Sequence, residues 1–209
     1  MTLGPNRPHR KNVNSPGLIY LCGQEQGITI LNISITGVLA KLHGKGDKND
    51  VKTIFDSLLV STIVDVYLPE MRLAGEAEVI RIDLKEDYLL IALEFKNVAY
   101  EVDNLLYKRK AYRKNLPGTG QILLGGKYHE FEAVNVSVEG LMIRLDEKIT
   151  VEEGIVTTFE FKRLNLAGEI KVIWVDPIAN SGTLIGLQYV HMEKNSVKGV
   201  PNFSSKTLE

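Results

Sequence analysis

The chain has 209 residues, 44% of them apolar and 24% charged, with 25 Lys and Arg against 26 Asp and Glu. A formal charge of −1 excludes a chain-wide basic field for DNA or RNA, and the apolar content excludes a chain that stays disordered throughout. The one cysteine, Cys22, excludes an intramolecular disulfide framework and a cysteine-rich zinc site.

In chain order, the basic opening MTLGPNRPHRKN is not followed by an apolar core, so no secretory signal is expected there. The run 28–33 is rich in β-branched residues and predicts a strand. The polar stretch 43–50 reads as a surface loop. Residues 52–64 and 98–113 are the candidates for a short helix or an extended linker. The longest apolar run, 58–68, is interrupted by Ser61, Thr62 and Asp65, and nothing reaches the ~18 apolar residues that span a bilayer. The glycines of Pro117-Gly118-Thr119-Gly120 and of Gly125-Gly126 lack a following helix and the lysine spacing of a phosphate loop, so both predict hairpin turns. Strands follow at 155–162, where Thr158 to Lys162 alternates with a period of two, and at 170–175. Trp174, Phe159, Phe161, Leu187 and Tyr189 are expected in or beside the core here, and the polar residues 195–209 are expected to fray.

The chain also repeats itself. Arg10-Lys11-Asn12 recurs as Arg113-Lys114-Asn115, and 22 positions after each arginine an Asn-x-Ser-x-x-Gly block opens, at Asn32 and at Asn135. The offset is 103. LAGEAEVIRID, ending at Asp83, then matches LAGEIKVIWVD, ending at Asp176, and LLIALEF matches TLIGLQY, at an offset of 93 or 94. The first copy therefore carries about ten extra residues, best placed in the polar stretch 43–50. The order of the blocks predicts two domains, 1–103 and 104–194, with a flexible tail at 195–209. Short strands between Gly- and Asn-rich breaks predict an all-β chain with a small antiparallel barrel in each domain.

The chemistry concentrates at the start of the second copy. Lys108-Arg109-Lys110-Ala111-Tyr112-Arg113 holds two arginines four apart, a spacing that sets both guanidinium groups on one side of a turn. Their planar forks suit phosphate oxygens and equally the O6 and N7 acceptors of guanine. Asn135 and Ser137, two apart, share one face if the segment is extended. An amide suits a base edge and a hydroxyl suits a phosphate or ribose oxygen. Gly140 allows a tight turn or a close backbone approach. An Asn–Ser turn that bonds its own backbone is the plainer use of the same residues, and both uses are compatible. His9, His43, His129 and His191 are scattered without paired ligand spacing, so no metal site is expected.

Arg-x-x-x-Arg followed by [Asp/Asn]-x-Ser-x-x-Gly resembles the PilZ domain family, here over residues 107–193. The resemblance implies two tandem six-stranded antiparallel split β-barrels with short helices, the second binding cyclic di-GMP. It also implies that Arg109 and Arg113 clamp guanine and phosphate while Asn135, Ser137 and Gly140 line the barrel side. Lys108 would add a cation and bear on whether one or two ligand molecules are held. The first copy departs from the pattern, with Asn6 where Arg109 stands, or Arg7 and Lys11 if the frame slides by one. Losing one base-reading fork costs ~1–3 kcal/mol, so domain one is expected to be a degenerate partner without the dinucleotide. The arrangement is similar to receptors of the flagellar-brake type. By the same resemblance the chain is expected to be a receptor. The lack of a catalytic triad, carboxylate dyad or metal ligand set leads us to expect no enzyme activity and no cofactor, and the single cysteine fits a reducing cytosol. The downstream protein partner is unknown, with flagellar motor, pilus and polysaccharide machinery all open, and a homodimer is left open. An adaptor of the same fold without nucleotide binding is the alternative.

Overall fold

The computed structural model describes residues 10–43, 48–85, 88–100, 111–178, 182–192 and 197–203. It divides into two compact units, residues 1–110 with 203–209 and residues 111–202. The first unit runs β1 (Lys11–Leu21), β2 (Gln24–Ser34), β3 (Gly37–Leu42), helix α1 (Lys48–Val60), β4 (Ile63–Leu68), a 3-10 turn (Pro69–Met71), β5 (Leu73–Leu84) and β6 (Leu89–Tyr100). The second runs β7 (Gly118–Leu124), β8 (Lys127–Val136), β9 (Gly140–Leu145), β10 (Val156–Phe161), a 3-10 turn (Lys162–Leu164), β11 (Leu166–Pro177) and β12 (Thr183–Tyr189). Each unit is a closed six-stranded antiparallel barrel, ordered β1-β2-β3-β6-β5-β4 and β7-β8-β9-β12-β11-β10. The chain is all-β apart from α1 and the two short turns among the described residues.

Period-two alternation builds both cores. Ile28 and Ile30, Val64, Val66 and Leu68, and Leu89, Ile91 and Leu93 fill the first barrel, because alternate strand side chains point to opposite faces. Phe159 and Phe161, Ile170 and Val172, and Ile185 and Leu187 do the same in the second. Phe159 stacks on Tyr189 with ring centroids 5.7 Å apart. Trp174 departs from the expected core set: it is half-buried and lies outside this cluster.

The repeat extends to the irregularities of the backbone. A register shift falls between Ile30 and Asn32 in β2 and between Ala133 and Asn135 in β8. Another falls between Val79 and Arg81 in β5 and between Val172 and Trp174 in β11. Each is a bulge, which leaves one residue unpaired and re-aims its neighbours. Arg72 (φ 49°) and Asn165 (φ 52°) close the two 3-10 turns in the left-handed region. Cys22-Gly23 and Gly125-Gly126 each form the two-residue turn of a hairpin with both φ positive, as tight hairpins demand. Cys22 packs partly against the first core.

Four local expectations are corrected. The helix spans Lys48–Val60 and not 52–64, so its first turn takes residues from the supposed loop, of which 44–47 lie outside the described residues. Ile54 is buried, Val51 and Leu58 pack beside it, and residues 63–64 belong to β4. Gly118-Thr119-Gly120 opens β7 and is not a turn. Residues 98–100 end β6 and Lys114 forms an isolated bridge, while 101–110 lie outside the described residues. Of the expected tail, Val197 and Val200 are buried in the second core, and Phe203 is buried and stacks on Tyr67 at 5.8 Å. Apolar residues spaced among polar ones hide that packing from a composition argument.

Candidate functional site: the Asn-x-Ser-x-x-Gly face

The stretch that carries Arg113 is joined to the second barrel by an isolated β-bridge. Lys114 N donates to Val136 O at 2.8 Å, and Val136 N donates back to Lys114 O at 2.9 Å. Val136 stands between Asn135 and Ser137, so this pair of bonds sets the exposed Arg113 backbone next to both. Leu116, two residues on from Lys114, is buried in the core and anchors the stretch. Lys108 and Arg109 lie outside the described residues.

Ser137 is buried and its hydroxyl is used locally. Its Oγ donates to Gly140 O at 3.1 Å and accepts the N–H groups of Glu139 and Gly140, each at 3.2 Å. Ser137 N also donates to Gly140 O at 2.8 Å. This is a side-chain-stabilised turn. Gly140 is required by packing: a Cβ there would lie 2.0 Å from Leu187 O on β12. The close approach is to a neighbouring strand. Asn135 is the penultimate residue of β8, beside its bulge, and is half-buried.

The first barrel repeats the arrangement. Lys11 pairs with Ile33, Ser34 Oγ donates to Gly37 O at 3.2 Å, and a Cβ on Gly37 would meet Leu93 O at 2.0 Å. Here the face holds a cavity of about 490 Å³, lined among others by Arg10, Asn32, Ser34, Arg81, Ala92 and Glu94. The second barrel differs at one pair. Trp174 is opposite Gly186, and a Cβ on Gly186 would fall 2.0 Å from the indole Nε1, so the ring lies against the glycine. Its counterpart is Arg81 opposite Ala92. Spacing arguments overlooked this pair, although LAGEAEVIRID aligned on LAGEIKVIWVD does set Arg81 against Trp174.

A further cavity of about 510 Å³ in the second barrel is lined by residues that include Asn165, Gly168, His191 and Met192, and by none of the motif residues. Behind the face, burial pushes the Tyr189 phenol above its ordinary range, and its hydroxyl has no hydrogen-bond partner among the described residues. Among the described residues no three of His, Cys, Asp and Glu gather as a metal ion requires. No helix among them is long and apolar enough to cross a membrane.

Residues 107–201 match the family model of the PilZ domain, which is where the sequence motifs placed the resemblance. No curated protein matches the chain. Among solved structures, the chain is similar to Escherichia coli YcgR in complex with c-di-GMP, at 10% identity and TM-score 0.37, over 87% of this chain and 80% of that one. It is also similar to the Bacillus subtilis inhibitor of motility MotI/DgrA, at 11% and 0.37, over 89% and 91%. A third is Borreliella burgdorferi PlzA in complex with c-di-GMP, at 12% and 0.31, over 89% and 86%.

Proposed function

We propose that the chain is a non-catalytic, cytoplasmic receptor for cyclic di-GMP that acts on motility, biofilm or other surface behaviour. The ligand is held by the second barrel: Arg109 and Arg113 supply forked donors, Asn135, Ser137 and Gly140 form the barrel side, and Lys108 adds positive charge. The observation that carries this reading is the Lys114–Val136 bridge, which sets Arg113 beside the Asn135–Gly140 turn. A ligand joining the arginines to that turn fixes the segment that precedes the barrel. It then shifts the chain toward the domain orientation it binds better, and an unidentified protein partner reads that change.

Calorimetric titration of the full chain with cyclic di-GMP tests the reading. Saturable binding is expected, with Arg109→Ala and Arg113→Ala each weakening it by ~1–3 kcal/mol, roughly tenfold or more. Equal affinity in both variants removes the proposed site. No binding to the unaltered chain at ~100 µM, against ordinary ligand affinities, removes the receptor reading in favour of a PilZ-like adaptor. One observation favours that adaptor: Ser137 and Gly140 both have complete structural uses without any ligand.

A further inference from the structure

The first barrel is not a blank copy of the second. Its Asn32, Ser34 and Gly37 stand in the same turn, and Arg10 occupies the position of Arg113. The difference lies on the neighbouring strands. In the second barrel the indole of Trp174 lies on Gly186. In the first, the equivalent pair is Arg81 and Ala92, and Arg81 Nε reaches Asp83 at 2.9 Å. A planar ring is thus exchanged for a cation that bonds along its own strand, and a cavity of about 490 Å³ lies between Arg10, Asn32, Ser34, Arg81, Ala92 and Glu94.

That volume falls in the range of small-molecule sites, about 300–1,000 Å³. Its walls present mixed chemistry. Arg10 and Arg81 are exposed cations in those walls. The Arg81 contact to Asp83 is made through Nε at 2.9 Å, and the planar fork of an arginine is suited to phosphate oxygens. Asn32 adds an amide, which donates and accepts. Glu94 adds a carboxylate, which only accepts. Its Oε1 meets Lys96 at 2.9 Å, and it remains part of the wall. A bare anion would meet repulsion from Glu94. A ligand with a phosphate at one end and N–H donors at the other would satisfy both ends.

We infer that the first barrel carries a second ligand site, built on Arg10, Arg81, Asn32 and Glu94, for a mononucleotide whose base carries N–H donors. Arg10 and Arg81 hold the phosphate, and Glu94 and Asn32 take the base edge. The site is separate from the one assigned to Arg113 and stands whether or not the second barrel binds cyclic di-GMP.

The test is amide-shift mapping by NMR on the full chain with GMP and with inorganic phosphate as probes, repeated in an Arg113→Ala background. Millimolar GMP should move the amides of Thr36, Gly37, Leu93 and Glu94 in both backgrounds. Arg10→Ala and Arg81→Ala should each weaken that response by about tenfold or more. Both side chains are exposed, so unshifted core amides at Ile30 and Ile91 will verify that each variant is folded. Glu94→Gln should weaken GMP and leave phosphate unchanged or stronger. The inference is overturned if those amides stay still with GMP, or if Arg10→Ala and Arg81→Ala respond as the unaltered chain does. It is equally overturned if phosphate alone binds as tightly as GMP.

Discussion

Gly140→Ala separates what the motif glycine does for the barrel from what it does for a ligand. The new Cβ would stand 2.0 Å from Leu187 O and 3.0 Å from the Gln188 Cα, against ordinary contacts of 3.4–4 Å. The obstacle is backbone, so β9 must move away from β12 by more than about 1 Å for the contact to become tolerable. Overpacking of that kind costs ~1–3 kcal/mol. The Gly140–Gln188 and Leu141–Leu187 pairs lie at the same place, and weakening their ladder bonds adds roughly 0.5–1.5 kcal/mol each. The whole is about 2–6 kcal/mol, and for a unit of this size each kcal/mol moves the melting midpoint by roughly 4–8 °C. The chain has a single tryptophan, Trp174 on β11 of the second barrel. Its fluorescence therefore reports that unit, and a fall in its thermal midpoint of about 8 °C or more is expected. An unchanged midpoint would refute the packing account and return Gly140 to a purely ligand-facing role.

Other expectations follow from the same face. Ser137→Ala should cost ~1–3 kcal/mol in urea unfolding, because the buried Gly140 N–H loses its acceptor; a neutral result would show that the turn holds without the hydroxyl. Tyr189→Phe should be neutral or stabilising by about 1 kcal/mol, since it removes a buried hydroxyl with no partner among the described residues; the first barrel has Phe95 at this position. The folded phenol titrates above the unfolded value of 10.0. Its contribution is thus complete below pH 10.0 and is lost as pH rises further, at about 1.4 kcal/mol per unit. Tyr189→Phe should flatten that alkaline loss, and an unchanged pH profile would assign it to other groups. Gly186→Ala should push the indole off β12, because its Cβ would fall 2.0 Å from Nε1; a shifted Trp174 emission maximum is the readout, and an unmoved one refutes the contact.

The barrels were legible because the repeat was. Two copies of the same strand blocks, with Ile28 to Leu31 and Thr158 to Phe161 alternating or β-branched, left few other ways to bury the apolar faces. The helix was harder. Lys48, Asn49 and Asp50 are polar enough for a loop, and only their contiguity with Val51, Ile54 and Leu58 makes them the first turn of α1. The bulges before Asn32 and Asn135 leave no mark in composition, since any residue can occupy an unpaired position. Gly140 showed that a glycine was needed but not which backbone approaches it, for Leu187 lies 47 positions away in sequence. Trp174 looked like core because large aromatics usually are, and the bulge between Val172 and Trp174 moves it out. Lys108 and Arg109 lie outside the described residues.

The Lys114–Val136 bridge has a consequence for how fast and how tightly a ligand can be held. The Lys114–Val136 bridge, the burial of Leu116 and the packing of Ala111 all help attach this stretch, whereas every strand beyond it is held on both sides by closed ladders. Local opening generally begins where fewest bonds must break. Opening of the isolated Lys114–Val136 bridge would move the Arg113 backbone away from the Asn135–Gly140 turn while leaving the barrel's own ladders intact. If the proposed receptor reading holds, only the attached fraction of molecules would present the arginine correctly, and the observed affinity would be the intrinsic one scaled by that fraction. Amide exchange at Lys114 and Val136 measures the fraction directly. Substitutions that tighten this short latch would strengthen binding without touching a single ligand contact.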